Sequence, residues 1–309
     1  TFATWNLNLM FGHVVKKKAR TSLRKRFDQM CLALAGMSND GTAPHVIAIQ
    51  ETGVGAQTDP LDVPGYRWYQ KPRLRSKYTG EFNQGGGVGF LVSESIKHSD
   101  VDLAPLGSHA SDHSELWIRI KGPTGGILLG TMYGDQRKFL TDESLNPDQV
   151  WTDRANFARK AFGSTEYAFL AGDLNAHVRQ NDQELQTWHR RMPAYAPRRN
   201  TNGNGLLRLL AHSGAVVLNG RAEAPQQIPA PTRIPHGHGA TNRPTVIDLI
   251  IANPVTVGAK VVDFKVLNTS SEISDHRMVA TTFKIPSAEF PTLSAPSSRS
   301  SAAPSNHTK

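Results

Sequence analysis

Short apolar runs separated by Gly, Pro, Asn and Asp recur along the chain. Several of these runs are apolar at nearly every position, which is typical of strands covered on both faces. The pattern predicts ten strands, at residues 1–6, 45–50, 88–92, 116–120, 127–133, 167–171, 216–218, 246–251, 261–266 and 278–283.

Three segments instead repeat their apolar residues at helical spacing. Their apolar positions are Leu23, Phe27, Met30 and Leu34; Trp151, Ala155, Ala158 and Phe162; and Leu206, Leu207 and Leu210. Asn146 and Pro147 suit the cap and first turn of the second helix. Gly36, Gly163 and Gly214 are predicted to end the three helices in turn. About ten strands and three helices predict the α/β class, with two sheets packed face to face and helices outside.

The composition changes after residue 285, where Ser and Pro become the dominant residues. A segment with so few large apolar side chains cannot offset its ordering entropy by burial. We therefore expect one folded domain over residues 1–285, and a disordered Ser/Pro-rich tail or linker over residues 286–309. Because Thr1 lies inside an apolar run without a signal peptide before it, we also expect the chain to be part of a longer polypeptide or to have been trimmed at its start.

Composition narrows the function classes. No apolar stretch approaches the ~18 residues of a membrane span, so we expect no membrane partner. Cys31 is the single cysteine, which excludes a disulfide scaffold, a cysteine-rich zinc module or an iron–sulfur cluster and fits a reducing compartment. The net charge of +9 favours a polyanionic partner, either nucleic acid or acidic lipid.

Acidic and amide side chains stand at the ends of the predicted strands. Burying such groups is costly unless they are paired, hydrogen-bonded or bound to a metal, and strand-end loops commonly carry catalytic groups. If these ends converge, the oxygen ligands suit Mg²⁺ or Mn²⁺ rather than zinc. One His among carboxylates suits attack by water on a phosphate ester. The set is Asn6, Asn8, Glu51, Asp173, Asn175, Asp248, Asp275 and His276.

Five short motifs occur in a characteristic order, each beside a predicted strand. They are Trp5-Asn6, Gln50-Glu51, Gly172-Asp173-Leu174-Asn175, Ile247-Asp248 and Ser274-Asp275-His276. On these motifs the sequence resembles the endonuclease/exonuclease/phosphatase superfamily over residues 1–285. The resemblance implies its DNase I-like fold, a four-layer α/β sandwich of two packed, mainly antiparallel sheets with outer helices.

The resemblance also implies a role for each site residue. Glu51 would be the principal metal ligand, with Asn6 and Asn8 nearby and Asp275 as a second ligand. Asp173 would align or deprotonate the attacking water, and Asn175 would hold both the phosphate and Asp173 in place. His276 would contact the scissile phosphate, kept charged by Asp248, and Tyr133 would contact the phosphate. The family's usual proline and asparagine after this tyrosine are replaced here by Asp135-Gln136.

Within the superfamily the chain is most similar to the apurinic-endonuclease-like domain of non-LTR retrotransposons. The likeness rests on Ala176-His177 after the Gly-Asp-Leu-Asn motif, the 202–207 block Asn-Gly-Asn-Gly-Leu-Leu, and Thr232-Arg233 before the buried acid. It implies a Mg²⁺-dependent phosphodiesterase that nicks DNA, leaving a 3′-hydroxyl and a 5′-phosphate, to prime reverse transcription. A covalently linked reverse transcriptase domain C-terminal to this chain, and an intracellular site, the nucleus in a eukaryote, are expected with it.

Three alternatives stay open on the same residues. One is an apurinic/apyrimidinic repair endonuclease, although such enzymes usually have an aspartate at the position of Asn8. Another is a phosphodiesterase or phosphatase of the superfamily acting on RNA or small phosphodiesters. The third is a nucleic-acid-binding module without catalysis.

Basic residues near the expected site are candidates for DNA contact. They are Arg73 and Arg75, flanked by aromatic residues, and Arg190, Arg191, Arg198 and Arg199, which follow the Gly-Asp-Leu-Asn motif. The basic run from Lys16 to Arg26 suits either phosphate contact or a solvated helix face or import signal. A second Ser-Asp-His tripeptide at residues 111–113 lies before Asp173, whereas the family places its catalytic copy last, at residues 274–276.

Overall fold

The computed structural model describes residues 1–8, 17–53, 62–71, 87–104, 114–122, 126–134, 146–178, 199–219, 230–235, 244–256 and 261–285. Within these ranges the strands are β1 Phe2–Asn6, β2 Val46–Gln50, β3 Tyr66–Lys71, β4 Val88–Ser93, β5 Val101–Leu103, β6 Glu115–Ile120, β7 Ile127–Met132, β8 Tyr167–Asp173, β9 Val216–Val217, β10 Asp248–Ala252, β11 Val261–Leu267 and β12 Met278–Phe283. The α-helices are α1 Lys17–Asn39, α2 Pro147–Ser164 and α3 Thr201–Ser213.

The strands form two six-stranded sheets. The first has the order β11-β12-β1-β2-β4-β3 and the second β5-β6-β7-β8-β10-β9. Each sheet contains one parallel pair, β1 with β2 and β7 with β8, and its other pairs are antiparallel. The predicted α/β sandwich of two mainly antiparallel sheets is confirmed.

Side chains of the central strands alternate between two apolar layers, as the pleat requires. In β1, Phe2 packs in the layer between the sheets, whereas Trp5 packs with Met30 of α1 on the outer face. On the other sheet, Leu170 packs outward with Trp151 of α2 and with α3. Because helices cover both outer faces, β1, β2, β7, β8 and β10 are buried along their whole length. This explains their continuous apolar sequences.

The helix ends agree with the sequence signals at some positions and differ at others. The Asn146 side chain accepts from the N–H groups of Asp148 and Gln149 before α2, and Gly214 ends α3 in the left-handed conformation, as predicted. The prediction that Gly36 ends α1 was wrong, since the helix continues to Asn39. A glycine inside a helix costs only about 1 kcal/mol, which the packing of α1 on its sheet outweighs.

The apolar pattern did not predict two of the strands, and both of these lie at sheet edges. β3 reads Tyr-Arg-Trp-Tyr-Gln-Lys without an apolar run, and β5 is three residues long. Edge strands have one unpaired side and tolerate such mixed sequences. The expected tail, residues 286–309, lies outside the described residues. No α-helix in the described ranges is long and apolar enough to cross a membrane.

Candidate active site

The ends of the central strands converge at one end of the sandwich. Asp173 and Asp248 are directly opposite each other in the antiparallel pair β8/β10. Residues opposite each other on neighbouring strands project from the same face. Asn6, the last residue of β1, hydrogen-bonds through Nδ2 to the Asp173 carboxylate at 2.9 Å. The two sheets therefore contribute to a single polar site.

His276 lies among the carboxylates of Asp173, Asp248 and Asp275. We call these four residues the acid–imidazole network. The His276 Nδ1 lies 3.0 Å from both carboxylate oxygens of Asp248. Its Nε2 lies 3.9 Å from Asp173 Oδ2 and 3.9 Å from Asp275 Oδ1. Burial opposes the charged imidazole, but the charge and hydrogen bond of Asp248, helped by the two other carboxylates, raise the pKa of His276 to about 9. At neutral pH His276 is an imidazolium.

Two buried polar side chains fix Asp248. Thr232 Oγ1 accepts from the N–H groups of Ile247 and Asp248 at 3.1 and 3.0 Å. Asn219 donates to the Asp248 carbonyl and accepts from the N–H of Ile250. The sequence indicated Thr232 only as part of the Thr232-Arg233 likeness to the family. Sequence reasoning missed that Asn219 supports the backbone around Asp248. Their signal was a polar residue inside an otherwise apolar segment.

The backbone of His276 is held by the first sheet. The indole Nε1 of Trp5 donates to the His276 carbonyl at 3.1 Å, and Ser274 Oγ accepts from the His276 N–H. The same Ser274 hydroxyl donates to the Asn6 carbonyl at 2.7 Å. The Trp-Asn and Ser-Asp-His motifs are thus joined by hydrogen bonds, although 268 positions separate Asn6 from Ser274.

Asp173 is buried and accepts three hydrogen bonds. Its Oδ1 accepts from the Asn175 N–H at 2.9 Å, and its Oδ2 accepts from the side-chain amides of Asn6 and Asn175 at 2.9 and 3.3 Å. Burial, then the negative charges of Asp248 and Glu51, raise the pKa of Asp173 to about 7, against the lowering effects of His276 and the Asn175 N–H. A carboxyl with such a pKa can gain or lose a proton near neutral pH.

Asn6 links the acid–imidazole network to Glu51. Its Nδ2 donates to Glu51 Oε1 at 2.8 Å as well as to Asp173, and its Oδ1 accepts from the Asn8 N–H at 2.8 Å. Glu51 and Asn8 have positive φ values of 51° and 50°, and Asn175 has one of 46°. Non-glycine residues in this conformation are uncommon and cluster at functional sites.

The donor chemistry fits a hard divalent cation on the Glu51 side of the site. Donor atoms of Asp173, Asp248 and His276 lie within 4.8 Å of one another. An imidazolium has no free lone pair, however, so His276 cannot be a ligand while it is charged. The partly exposed Glu51 carboxylate and the oxygens of Asn6, Asn8 and Asp275 remain, and oxygen ligands are the preference of Mg²⁺ and Mn²⁺. Asp275 Oδ2 also accepts from Arg233 Nε at 3.0 Å.

The segment after β8 is braced by the start of α3. Asn200 donates to the Asn175 carbonyl, and its Oδ1 accepts from the N–H groups of His177 and Gly203. A Cβ added at Gly203 would lie 2.0 Å from the His177 carbonyl oxygen. The Asn-Gly-Asn-Gly block, noticed in the sequence only as a family likeness, therefore packs α3 directly against the site.

Tyr133 directly follows β7 and is buried, and its N–H donates to the Ser114 carbonyl at 2.7 Å. The next residue, Gly134, donates to the Asp173 carbonyl and accepts from Asn202 Nδ2. The predicted phosphate-contacting tyrosine is therefore adjacent in sequence to a residue that binds the Asp173 backbone.

Of the predicted DNA-contacting arginines, Arg199 lies at the start of α3, where its Nη1 is 3.4 Å from Asn204 Oδ1. Farther back along the chain, Arg24 pairs with Asp28 on an exposed face of α1. Arg73, Arg75, Arg190, Arg191 and Arg198 lie outside the described residues, as does the Ser-Asp-His tripeptide at 111–113.

Comparison with known proteins agrees with this geometry. The fold matches the endonuclease domain of TRAS1, a telomere-specific non-LTR retrotransposon, with a TM-score of 0.51 and 16% identity over 92% of this chain and 97% of that chain. It matches the AP endonuclease LMAP from Leishmania major with a TM-score of 0.64 and 16% identity, over 92% and 87% of the two chains. It matches the 3′-5′ exonuclease NExo from Neisseria meningitidis with a TM-score of 0.59 and 19% identity, over 92% and 99%.

At these identities the structural matches establish the fold. A comparison with curated protein sequences finds no match. A family model, the Endonuclease/Exonuclease/phosphatase family, matches residues 3–276, which span all five motifs from Trp5-Asn6 to His276. The family comprises nucleases and phosphatases, and the structural neighbours include endonucleases, an exonuclease and a 3′ phosphatase. The chain belongs to the endonuclease/exonuclease/phosphatase family and is a hydrolytic enzyme.

Proposed function

We propose that this chain is a Mg²⁺-dependent endonuclease that nicks DNA, of the kind that non-LTR retrotransposons use to prime reverse transcription. The observation that carries the proposal is the acid–imidazole network, in which a charged His276 and an Asp173 of raised pKa lie 3.9 Å apart. Phosphodiester hydrolysis by water needs a base for the water and a cation for the developing phosphate charge.

Each side chain has a role in this reaction. Asp173 accepts a proton from the attacking water, and its carboxylate is aimed by Asn6 and Asn175. His276 donates a charged hydrogen bond from Nε2 to a phosphate oxygen, because its Nδ1 is held by Asp248. Tyr133 contacts the same phosphate from the end of β7.

Glu51, with Asn6, Asn8 and Asp275 around it, would hold the metal. When bound, Mg²⁺ supplies positive charge for the phosphate oxygens and the leaving group. The strain at Glu51 and the Asn6 hydrogen bond keep the carboxylate at the site before any ion arrives.

DNA and the retrotransposon role are supported by several features. The chain carries a net charge of +9, and the retrotransposon-like 202–207 block braces the site through α3. One structural neighbour is a retrotransposon endonuclease domain, and another was solved with a product DNA hairpin. A reverse transcriptase domain linked after this chain and a nuclear location belong to the same proposal.

The test is nicking of supercoiled plasmid by the purified chain in Mg²⁺ and in EDTA. Asp173→Asn and His276→Ala are compared with Asp40→Asn, an exposed position beyond α1. We expect Mg²⁺-dependent nicking by the wild type and Asp40→Asn, with a loss of at least 100-fold in the two site variants. Equal nicking by all four proteins would refute the proposal.

A duplex oligonucleotide with one abasic site, an RNA strand and a small phosphodiester are included as further substrates. Cleavage confined to the abasic site would reassign the chain to repair. Cleavage only of RNA or of the small phosphodiester would reassign it to another activity of the same family.

A further inference from the structure

Residues 232–234 are attached to the catalytic end of both sheets. Thr232 supports Asp248, as described above, and Arg233 forms isolated bridges with Thr245 and His276. The N–H of Ile234 donates to the Asp275 carbonyl at 2.8 Å. This short segment therefore borders the acid–imidazole network without being part of it.

Only one of the three guanidinium nitrogens of Arg233 donates a hydrogen bond to a side chain among the described residues. Its Nε donates to Asp275 Oδ2 at 3.0 Å, and the side chain is 39% exposed. Among the described residues, its two terminal nitrogens have no hydrogen-bond partner. The cation also lies near the half-buried His177, whose pKa is lowered by burial and then by the charge of Arg233. The guanidinium thus lies beside Asp275, on the side of the site that faces His177.

An apolar side chain accompanies this cation. Ile234 is 39% exposed and is among the most exposed large hydrophobic residues of the described chain. A nucleotide is complementary to this pair, because it joins an anionic phosphate to a sugar and base with apolar faces. Arginine is well suited to phosphate because its planar fork donates several hydrogen bonds at once.

We propose that Arg233 and Ile234 form a second-nucleotide subsite, in which Arg233 binds the phosphate next to the scissile one and Ile234 contacts the sugar or base attached to it. This inference rests on the proposed function, since it concerns the substrate of the same site. It assigns the enzyme a preference for oligonucleotides over substrates that contain a single phosphate.

The first test measures binding without catalysis. A fluorescent DNA duplex is titrated in EDTA at several salt concentrations with wild type, Arg233→Met and Arg208→Met. Arg208 is a matched control for charge and exposure, because it is also 39% exposed and also pairs with an aspartate, although through its terminal nitrogens, which bond to Asp148 and Thr152 on α2. We expect Arg233→Met to weaken binding about fivefold to tenfold and to reduce the salt dependence by about one phosphate contact, with no change for Arg208→Met.

The second test separates substrate binding from support of Asp275. Values of kcat/KM are measured in Mg²⁺ for the duplex and for bis(4-nitrophenyl) phosphate, which carries one phosphate. We expect Arg233→Met to lower the duplex value about tenfold relative to the small substrate, and Arg233→Lys to recover part of the loss. Equal losses on both substrates would mean that Arg233 acts only through Asp275, and would overturn the subsite.

The outcomes distinguish the two proposals. If the wild type cleaves neither DNA nor the small diester, the proposed function fails, but the EDTA binding experiment still tests the subsite. If the wild type cleaves DNA and Arg233→Met binds and cleaves like Arg208→Met, the subsite fails alone. A cooperative thermal unfolding transition for each variant shows that the comparison is made between folded proteins.

Discussion

The buried carboxylate of Asp173 should make the metal-free protein lose stability as the pH rises. Its pKa is raised from 3.8 to about 7 in the folded chain, so the folded state binds the proton more tightly than the unfolded state. The resulting stability is fully present below pH 3.8 and is lost as the pH rises to about 7. A shift of about three pKa units corresponds to about 4 kcal/mol over the whole window, of which roughly 3 kcal/mol falls between pH 5 and pH 8.

Asp173→Asn removes this titration while keeping nearly the same shape. The new amide would turn its NH₂ toward the side-chain amides of Asn6 and Asn175, which costs on the order of 1–3 kcal/mol for each lost hydrogen bond. That cost does not depend on pH, so the difference between the stability changes at pH 5 and pH 8 reports the ionisation of Asp173, including its charge interaction with His276. Relative to wild type, we expect the free energy of unfolding of the variant to be roughly 3 kcal/mol higher at pH 8 than at pH 5.

The assay is urea unfolding in EDTA at pH 5 and pH 8, followed by tryptophan fluorescence and by circular dichroism. Asp40→Asn serves as the control, since Asp40 is exposed, and its curve should run parallel to wild type. The reasoning is refuted if Asp173→Asn also runs parallel to wild type, because the buried carboxylate would then carry no pH-dependent cost.

Three further predictions follow from single contacts. Asp248→Asn should lower the pKa of His276 by at least a unit, because the negative charge of Asp248 is the main interaction that stabilises the imidazolium. NMR titration of the imidazole measures this pKa. Gly172→Ala should destabilise the fold by roughly 2–4 kcal/mol in urea unfolding, since its Cβ would lie 1.9 Å from the Met132 carbonyl oxygen. Gly163→Ala, with no atom within 4 Å of the added Cβ, should stabilise α2 by about 0.5–1 kcal/mol.

Continuous apolar runs predicted the strands that are buried on both faces, and apolar residues at helical spacing predicted the three helices. These patterns failed where tertiary contacts decide the outcome, as at the edge strand β3, at Gly36 inside α1, and at the start of α3. That helix begins at Thr201, five residues before the first apolar residue of its predicted stripe, because Asn200 caps it. Asn200 is a favoured cap residue, but the apolar stripe alone does not locate the helix start, because Gly203 and Gly205 lower the helix propensity of its first residues.

The candidate site was predictable as a set of residues but not as a set of contacts. Strand-end acids identify Glu51, Asp173, Asp248 and Asp275, since a carboxylate after a buried strand needs a partner. Which partner each one has depends on strand order, and the sequence does not contain the pairing of β8 with β10 that sets Asp173 opposite Asp248. That register makes two buried carboxylates neighbours, and their mutual repulsion helps to raise the pKa of Asp173.

The role of Asn6 depends on the same register. The motif suggests an amide oxygen for the metal. The folded chain turns the Asn6 NH₂ toward Glu51 and Asp173, and its Oδ1 accepts from the Asn8 N–H, which leaves the second lone pair of that oxygen for an ion. An amide NH₂ between two carboxylates reduces their repulsion without adding a charge that would compete with a cation. Asn6 therefore holds Asp173, the proposed general base, and Glu51, the proposed metal ligand, at a fixed separation. This function follows from the direction of its hydrogen bonds rather than from its residue type.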